Sequence, residues 1–166
     1  LNVYEMCACP GAGACQGLYT ANSMACITEA LGMSVPGCAT AMAVSAKKDR
    51  IAQESGEKIV GLVKRNVLPR TIARREAFEN AIKVDMALGG STNTVLHIIA
   101  VAKEFGIDVD LEMFDRLSKA TPHITNILPG GEHFMEDLDS AGGIPAIMKR
   151  MKNQLSDVMT ASGRLI

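Results

Sequence analysis

The sequence predicts an α/β domain in which helices dominate. Apolar residues make up 48% of the 166 residues and recur at helical spacing along most of the chain. One short run rich in β-branched residues, Ile124 to Leu128, is the best candidate for a strand. No internal repeat divides the sequence, so we expect a single domain over residues 1–166.

Breaks in the apolar periodicity set the predicted helix ends. Glycine and proline mark turns at Pro36-Gly37 and Gly89-Gly90, and Leu68-Pro69-Arg70 is expected to break a helix. The longest predicted segment is one helix or two, interrupted near Gly56. The predicted helices are residues 18–31, 41–65, a short one from Thr71, 75–88, one from a cap at Ser91 or Thr92 to about Phe105, 111–119, 135–141 and 144–152.

Composition excludes several classes of partner. The formal net charge is −1, aromatic residues are 4%, and no basic run occurs, so we expect no nucleic acid partner. No run of about 20 apolar residues is present, so we expect no membrane-spanning helix. Five cysteines are an odd count, which favours free thiols in a reducing cytoplasm over a disulfide framework.

The segment from Cys9 to Gly17 concentrates three glycines, a proline and Cys15 directly before the first predicted helix. Glycine allows close backbone approach, and a helix start offers free N–H groups and partial positive charge. A thiolate in that position is favoured as a metal ligand or nucleophile. The alternative from spacing alone is a buried structural cysteine.

The segment from Gly89 to Asn93 is a second candidate site, at the start of another predicted helix. Two glycines would let a ligand reach backbone N–H groups beside Ser91, Thr92 and Asn93, although an ordinary helix break and N-cap is the alternative. His97 lies on the same helix face as Asn93, where it either supports the site or packs in the core. Asn22 and Ser23 either contact the site or pack the helix start.

The acidic residues Glu136, Asp137 and Asp139 form either a carboxylate cluster or a solvated helix start. For Cys26, core packing is favoured.

Three ordered motifs carry a family resemblance: CPGAGACQGLYTANSMACITEALGMSVPG, AFENAIKVDMALGGSTNTVLH and PGGEHFMEDLDSAGGIPAIM. Together they resemble the dihydroxy-acid and phosphogluconate dehydratase family over nearly the whole chain. The residues from Tyr19 to Met24 look most like the branched-chain members. The resemblance implies a helix-rich part of a layered α/β N-terminal domain.

The resemblance implies iron–sulfur hydro-lyase chemistry. Family members convert 2,3-dihydroxy acids, such as 2,3-dihydroxyisovalerate in branched-chain amino-acid biosynthesis, to 2-keto acids. A cluster (2Fe–2S or 4Fe–4S) and Mg²⁺ are the implied cofactors, and metals of this kind stabilise a departing hydroxide. The implied partners are a small dihydroxy acid and other copies of the enzyme, as a homodimer or larger assembly.

Matched to the family motif, Cys15 is a cluster ligand and Cys9 is the second candidate, whereas Cys7, Cys26 and Cys38 do not match ligand positions. Ser91, Thr92 and Asn93 are the candidates for substrate binding. The other cluster cysteines, the magnesium ligands and the catalytic base are expected outside this chain, upstream or in a C-terminal β-rich domain. We therefore expect an N-terminal fragment that is inactive alone.

Two other functions remain open at this point. A sugar-acid or phosphogluconate dehydratase of the same superfamily would share these motifs. A non-catalytic helical module or remnant would retain the fold without the reaction.

Overall fold

Helices form nearly all the regular structure of the computed structural model, which describes residues 2–3 and 15–166. Between residues 15 and 166 there are eight α-helices and one short 3₁₀-helix. The helices are α1 (Thr20–Ala30), α2 (Ala46–Lys64), α3 (Pro69–Ile72), α4 (Arg75–Leu88), α5 (Asn93–Glu104), α6 (Leu111–Ala120), α7 (Met135–Ser140) and α8 (Gly143–Arg150), followed by the 3₁₀-helix Lys152–Gln154. The helix-rich part of the prediction is therefore confirmed.

Helix α4 is the centre of the described structure and packs against α1, α6 and α8. Its small residues Ala77, Ala81 and Ala87 are fully buried, which lets neighbouring helices approach closely. One side joins Phe78 and Ile82 to a cluster with α1, α5 and α6, while the other side joins α7 and α8. Because α4 is buried almost all round, it holds the starts of α1 and α5 in fixed positions.

Helix α2 shows which of the two predicted arrangements of this segment is right. It is one helix that runs without interruption through the exposed Gly56. Ser45 caps it by accepting a hydrogen bond from the Lys48 N–H at 3.3 Å. The long helix ends before residues 68–70, as predicted, but the short helix expected from Thr71 begins earlier. This helix, α3, has Pro69 in its first turn, where the missing N–H of proline costs no helical bond.

The predicted strand from Ile124 to Leu128 is wrong as a strand. Ile127 forms one isolated parallel bridge with His133, and the described residues contain no longer ladder. Ile124 N donates instead to Ala87 O at the end of α4, at 2.8 Å. The α/β layering expected from the sequence is thus not seen in the described residues, where extended segments pair only through isolated bridges.

None of the helices in the described ranges is long and apolar enough to cross a membrane.

Candidate functional site

Cys15 is the first residue of the described range 15–166 and lies just before α1, with its side chain exposed. Backbone hydrogen bonds fix the positions of the next residues. Gln16 O accepts from Met135 N at 2.8 Å, and Leu18 N donates to Leu128 O at 2.6 Å. Gly17 is buried, and a Cβ there would lie 2.5 Å from Leu128 O. The close approach that glycine allows at this position is therefore to another backbone segment, which fixes where Cys15 emerges.

Asn22 and Ser23, in the first turn of α1, are both buried, and their side chains bond neighbouring segments of backbone. The Asn22 amide donates to the carbonyls of Cys15 and Gly17, the latter at 2.7 Å. Ser23 Oγ donates to Leu18 O at 3.2 Å and accepts from Ser91 N at 3.0 Å. Adjacent residues of one helix thus hold both candidate segments.

The segment from Ser91 to Asn93 meets α1 through a network of side chains. Asn93 Nδ2 donates to Thr20 Oγ1 at 2.8 Å, and Ser91 Oγ lies 3.3 Å from the same hydroxyl. Ser91 Oγ also accepts from Asn93 N at 3.3 Å, so Ser91 supplies the helix-start contact that Thr92 does not. Thr92 and Asn93 are exposed, which leaves this helix start open to a ligand.

Asp85, which the sequence analysis missed, lies beneath the Gly89-Gly90 turn with 2% exposure. Its Oδ2 lies 2.7 Å from Thr94 Oγ1, which is also 2.6 Å from Ser91 O. Its Oδ1 has no hydrogen-bond partner among the described residues. Burial raises the pKa of this carboxyl to about 6. The sequence feature that could have identified Asp85 is an aspartate in an apolar stretch just before a pair of glycines.

The remaining candidates lie away from this network. His97 is exposed, so the prediction that it packs in the core is wrong. The Asn93 amide donates to Thr20 Oγ1, and not to His97. Cys26 is buried in the core as predicted, and burial raises the pKa of its thiol. Cys38 lies beside Lys48, with its Sγ 3.7 Å from Nζ. Cys7 and Cys9 fall outside the described residues.

The three acidic residues near α7 do not form a shared site. Glu136 and Asp137 are exposed, as expected for a solvated helix start. Asp139 instead accepts from Lys47 Nζ and from Thr40 Oγ1, each at 2.6 Å. Asp139 therefore ties α7 to the start of α2.

The donor groups fit one corner of a metal cluster. Cys15 is an exposed thiol on a pinned segment, as one cluster ligand requires. No group of three His, Cys, Asp or Glu side chains within the described ranges could hold a metal ion alone. A cavity of about 350 Å³ lies elsewhere, near Glu29, Pro145 and Leu155, and Cys15 and residues 91–93 do not line it. Any cluster here therefore needs further ligands beyond Cys15.

The model of the family described as dihydroxy-acid/6-phosphogluconate dehydratase N-terminal matches residues 1–166. The chain belongs to this family. Among curated relatives, a dihydroxy-acid dehydratase of Thermodesulfovibrio yellowstonii is 61% identical over 163 residues, or 98% of this chain and 30% of the relative. A dihydroxy-acid dehydratase of Methanothrix thermoacetophila is 59% identical over 167 residues, or 100% of this chain and 30% of the relative. One from Geobacter metallireducens is 60% identical over 163 residues, with coverage of 98% and 30%.

The chain thus spans about 30% of the length of these dehydratase relatives. The family resemblance seen in the sequence is confirmed. The assignments of Cys15, Cys9, Ser91, Thr92 and Asn93 remain predictions, because membership of the family does not test individual residues.

Proposed function

We propose that this chain is part of an iron–sulfur hydro-lyase that converts a 2,3-dihydroxy acid of the dihydroxyisovalerate type to a 2-keto acid. The observation that carries the proposal is the attachment of an exposed Cys15 and of the Ser91 segment to adjacent residues of α1. Relatives that are about 60% identical and named dihydroxy-acid dehydratase support the reaction class. The role in branched-chain amino-acid biosynthesis, the cytoplasmic location and a homodimeric or larger assembly belong to the same proposal.

Cys15 would contribute one thiolate ligand to the cluster, with Cys9 as a second candidate. The bound iron would supply Lewis-acid stabilisation of the hydroxide that leaves C3, and Mg²⁺ would bind the carboxylate and C2 oxygens of the substrate. Asn22 fixes the carbonyls on both sides of the thiol segment, so the Sγ atom starts from a restrained backbone. This preorganisation lowers the entropy lost when a ligand is held.

The start of α5 would receive the substrate carboxylate. The partial positive charge at the N-terminus of α5, a helix of 12 residues, favours an anion. The backbone N–H groups of Ser91, Asn93 and Thr94 already have partners, so the contacts would come mainly from side chains. The side chains of Ser91 and Asn93 already form hydrogen bonds with Thr20, whereas the exposed Thr92 hydroxyl has no hydrogen-bond partner among the described residues. We therefore propose Thr92 for direct contact with substrate, and Ser91 and Asn93 for contact and for shaping the segment.

Cysteine variants in a full-length dehydratase that contains this chain test the proposal. After anaerobic reconstitution, Cys15→Ser should lose cluster absorbance, bound iron and sulfide, and turnover of 2,3-dihydroxyisovalerate. Cys38→Ser is the matched control, because Cys38 is half-buried beside Lys48 and should leave iron content unchanged. A Cys15→Ser enzyme with normal iron content and turnover would exclude the ligand assignment. Faster turnover of sugar acids than of dihydroxyisovalerate by the parent enzyme would favour the alternative substrate class.

A further inference from the structure

Asp85 is a buried acid that lacks a compensating charge. It does not take part in any salt bridge among residues 15–166, and its Oδ1 lacks a hydrogen-bond partner there. An ionised carboxylate in that environment is strongly disfavoured. A neutral carboxylic acid loses much of that penalty and gains an O–H donor.

The hydrogen bonds of the Thr94 hydroxyl indicate whether Asp85 is protonated or ionised. Thr94 Oγ1 lies 2.7 Å from Asp85 Oδ2 and 2.6 Å from Ser91 O. A hydroxyl group has one proton to donate, and the Ser91 carbonyl can only accept. With Asp85 ionised, Thr94 must share its one proton between the two acceptors, whereas with Asp85 protonated both contacts are full two-centre hydrogen bonds, from Asp85 to Thr94 and from Thr94 to Ser91.

The neighbouring groups do not offer a countercharge. Burial raises the pKa of the Cys26 thiol on α1, so this thiol stays neutral. His123 approaches Gly89 from the segment after α6, but its ring is exposed. The other charged groups on α5 and on the helices packed against α4 and α5 are exposed or engaged elsewhere: Glu29, His97, Lys103, Glu104, Glu112, Asp115, Arg116, Lys119, Lys149 and Arg150.

We propose that Asp85 is a positioning residue that, in its protonated form, donates a hydrogen bond to Thr94 and so fixes the Ser91 carbonyl. The relay holds the first turn of α5, where Thr92 and Asn93 are exposed. Its effect on substrate binding rests on the proposed function, whereas its effect on the fold does not.

Four substitutions separate a neutral donor from a charged acceptor. Asp85→Asn keeps the shape and supplies a permanent N–H donor, whereas Asp85→Ala removes the donor. Thr94→Ser keeps the relaying hydroxyl, whereas Thr94→Val replaces it with a methyl group of similar size. A neutral relay tolerates the first member of each pair and not the second.

The kinetic experiment measures KM and kcat for 2,3-dihydroxyisovalerate with the full-length holoenzyme at about pH 5.5 and pH 8. Asp85→Ala and Thr94→Val should raise KM about tenfold, the effect of one buried hydrogen bond, and change kcat less. Asp85→Asn and Thr94→Ser should stay within about threefold of the parent at the lower pH. The ratio of the parent KM to the Asp85→Asn KM should rise at pH 8. An Asp85→Asn enzyme as impaired as Asp85→Ala, or a ratio independent of pH, would overturn the proposal.

A second measurement does not depend on activity. The thermal unfolding midpoint of the parent should fall relative to that of Asp85→Asn as pH rises from about 4 to about 6, and the difference should then level off. Parallel curves would overturn the neutral-donor assignment even in an active enzyme. A parent protein without dehydratase activity would instead refute the proposed function, while the unfolding curves would still decide the protonation of Asp85.

Discussion

Gly17→Ala should destabilise the protein by crowding the backbone that positions Cys15. The added Cβ would lie 2.5 Å from Leu128 O and 2.9 Å from the Leu128 carbonyl carbon. Carbon atoms prefer separations of about 3.5 Å or more, so the two segments must move apart by roughly 1 Å. That movement opposes the 2.6 Å hydrogen bond from Leu18 N to Leu128 O.

The two costs can be added approximately. Overpacking costs about 1–3 kcal/mol, and a weakened buried hydrogen bond costs about 1 kcal/mol more. The free energy of unfolding should therefore fall by about 2–4 kcal/mol. For a chain of this size, 1 kcal/mol shifts Tm by about 2–4 °C, so Tm should fall by about 4–16 °C.

Gly56→Ala is the matched control, because it makes the same chemical change in the exposed helix α2. Nothing lies within 4 Å of its added Cβ, and alanine is favoured over glycine inside a helix by about 0.5–1 kcal/mol. Its Tm should rise slightly. Calorimetry or circular dichroism on both variants measures the difference. A Gly17→Ala protein as stable as Gly56→Ala would refute the close-contact argument.

Three further variants test other contacts. Asn22→Ala should lose about 1–3 kcal/mol of stability and lower iron uptake, measured after reconstitution, because two buried carbonyls lose their donor. Gly90→Ala should lower Tm, because its Cβ would overlap Asp85 Oδ1. Asp139→Asn should cost about 1 kcal/mol near neutral pH. Burial alone would raise the pKa of Asp139, but the bond from Lys47 lowers it, so urea titrations should show this difference vanishing as pH falls below about 4.

The helices were predictable because their signals are local. The helix from Arg75 to Leu88 begins and ends at the predicted residues. Its C-terminal end was predictable because Gly89 adopts the left-handed conformation, with φ 71°, that ends many helices. The segment from Ile124 to Leu128 failed because β-branched composition describes a preference, while a strand also needs a partner. Its backbone groups bond Ala87 and His133 instead.

Buried polar contacts were not predictable, because their partners are distant in sequence. The Glu29 carboxylate accepts from Gly37 N at 2.6 Å and from Ala39 N at 2.8 Å, inside what sequence alone presents as an ordinary turn. The bond between Ser91 N and Ser23 spans 68 residues. Periodicity reports which face of a helix is buried and carries no information on such pairings.

The Gly89-Gly90 pair shows why a glycine motif alone cannot reveal what approaches the backbone. The sequence suggested that these glycines open the backbone to a ligand. Gly89 is required by its φ of 71°, and Gly90 leaves room for Asp85. Ser91 N already donates to Ser23. The pair therefore serves packing beneath the turn, and we propose ligand binding for the exposed side chains that follow, Thr92 above all. Loss of stability in Gly90→Ala with unchanged KM, together with raised KM in Thr92→Val, would separate these two roles.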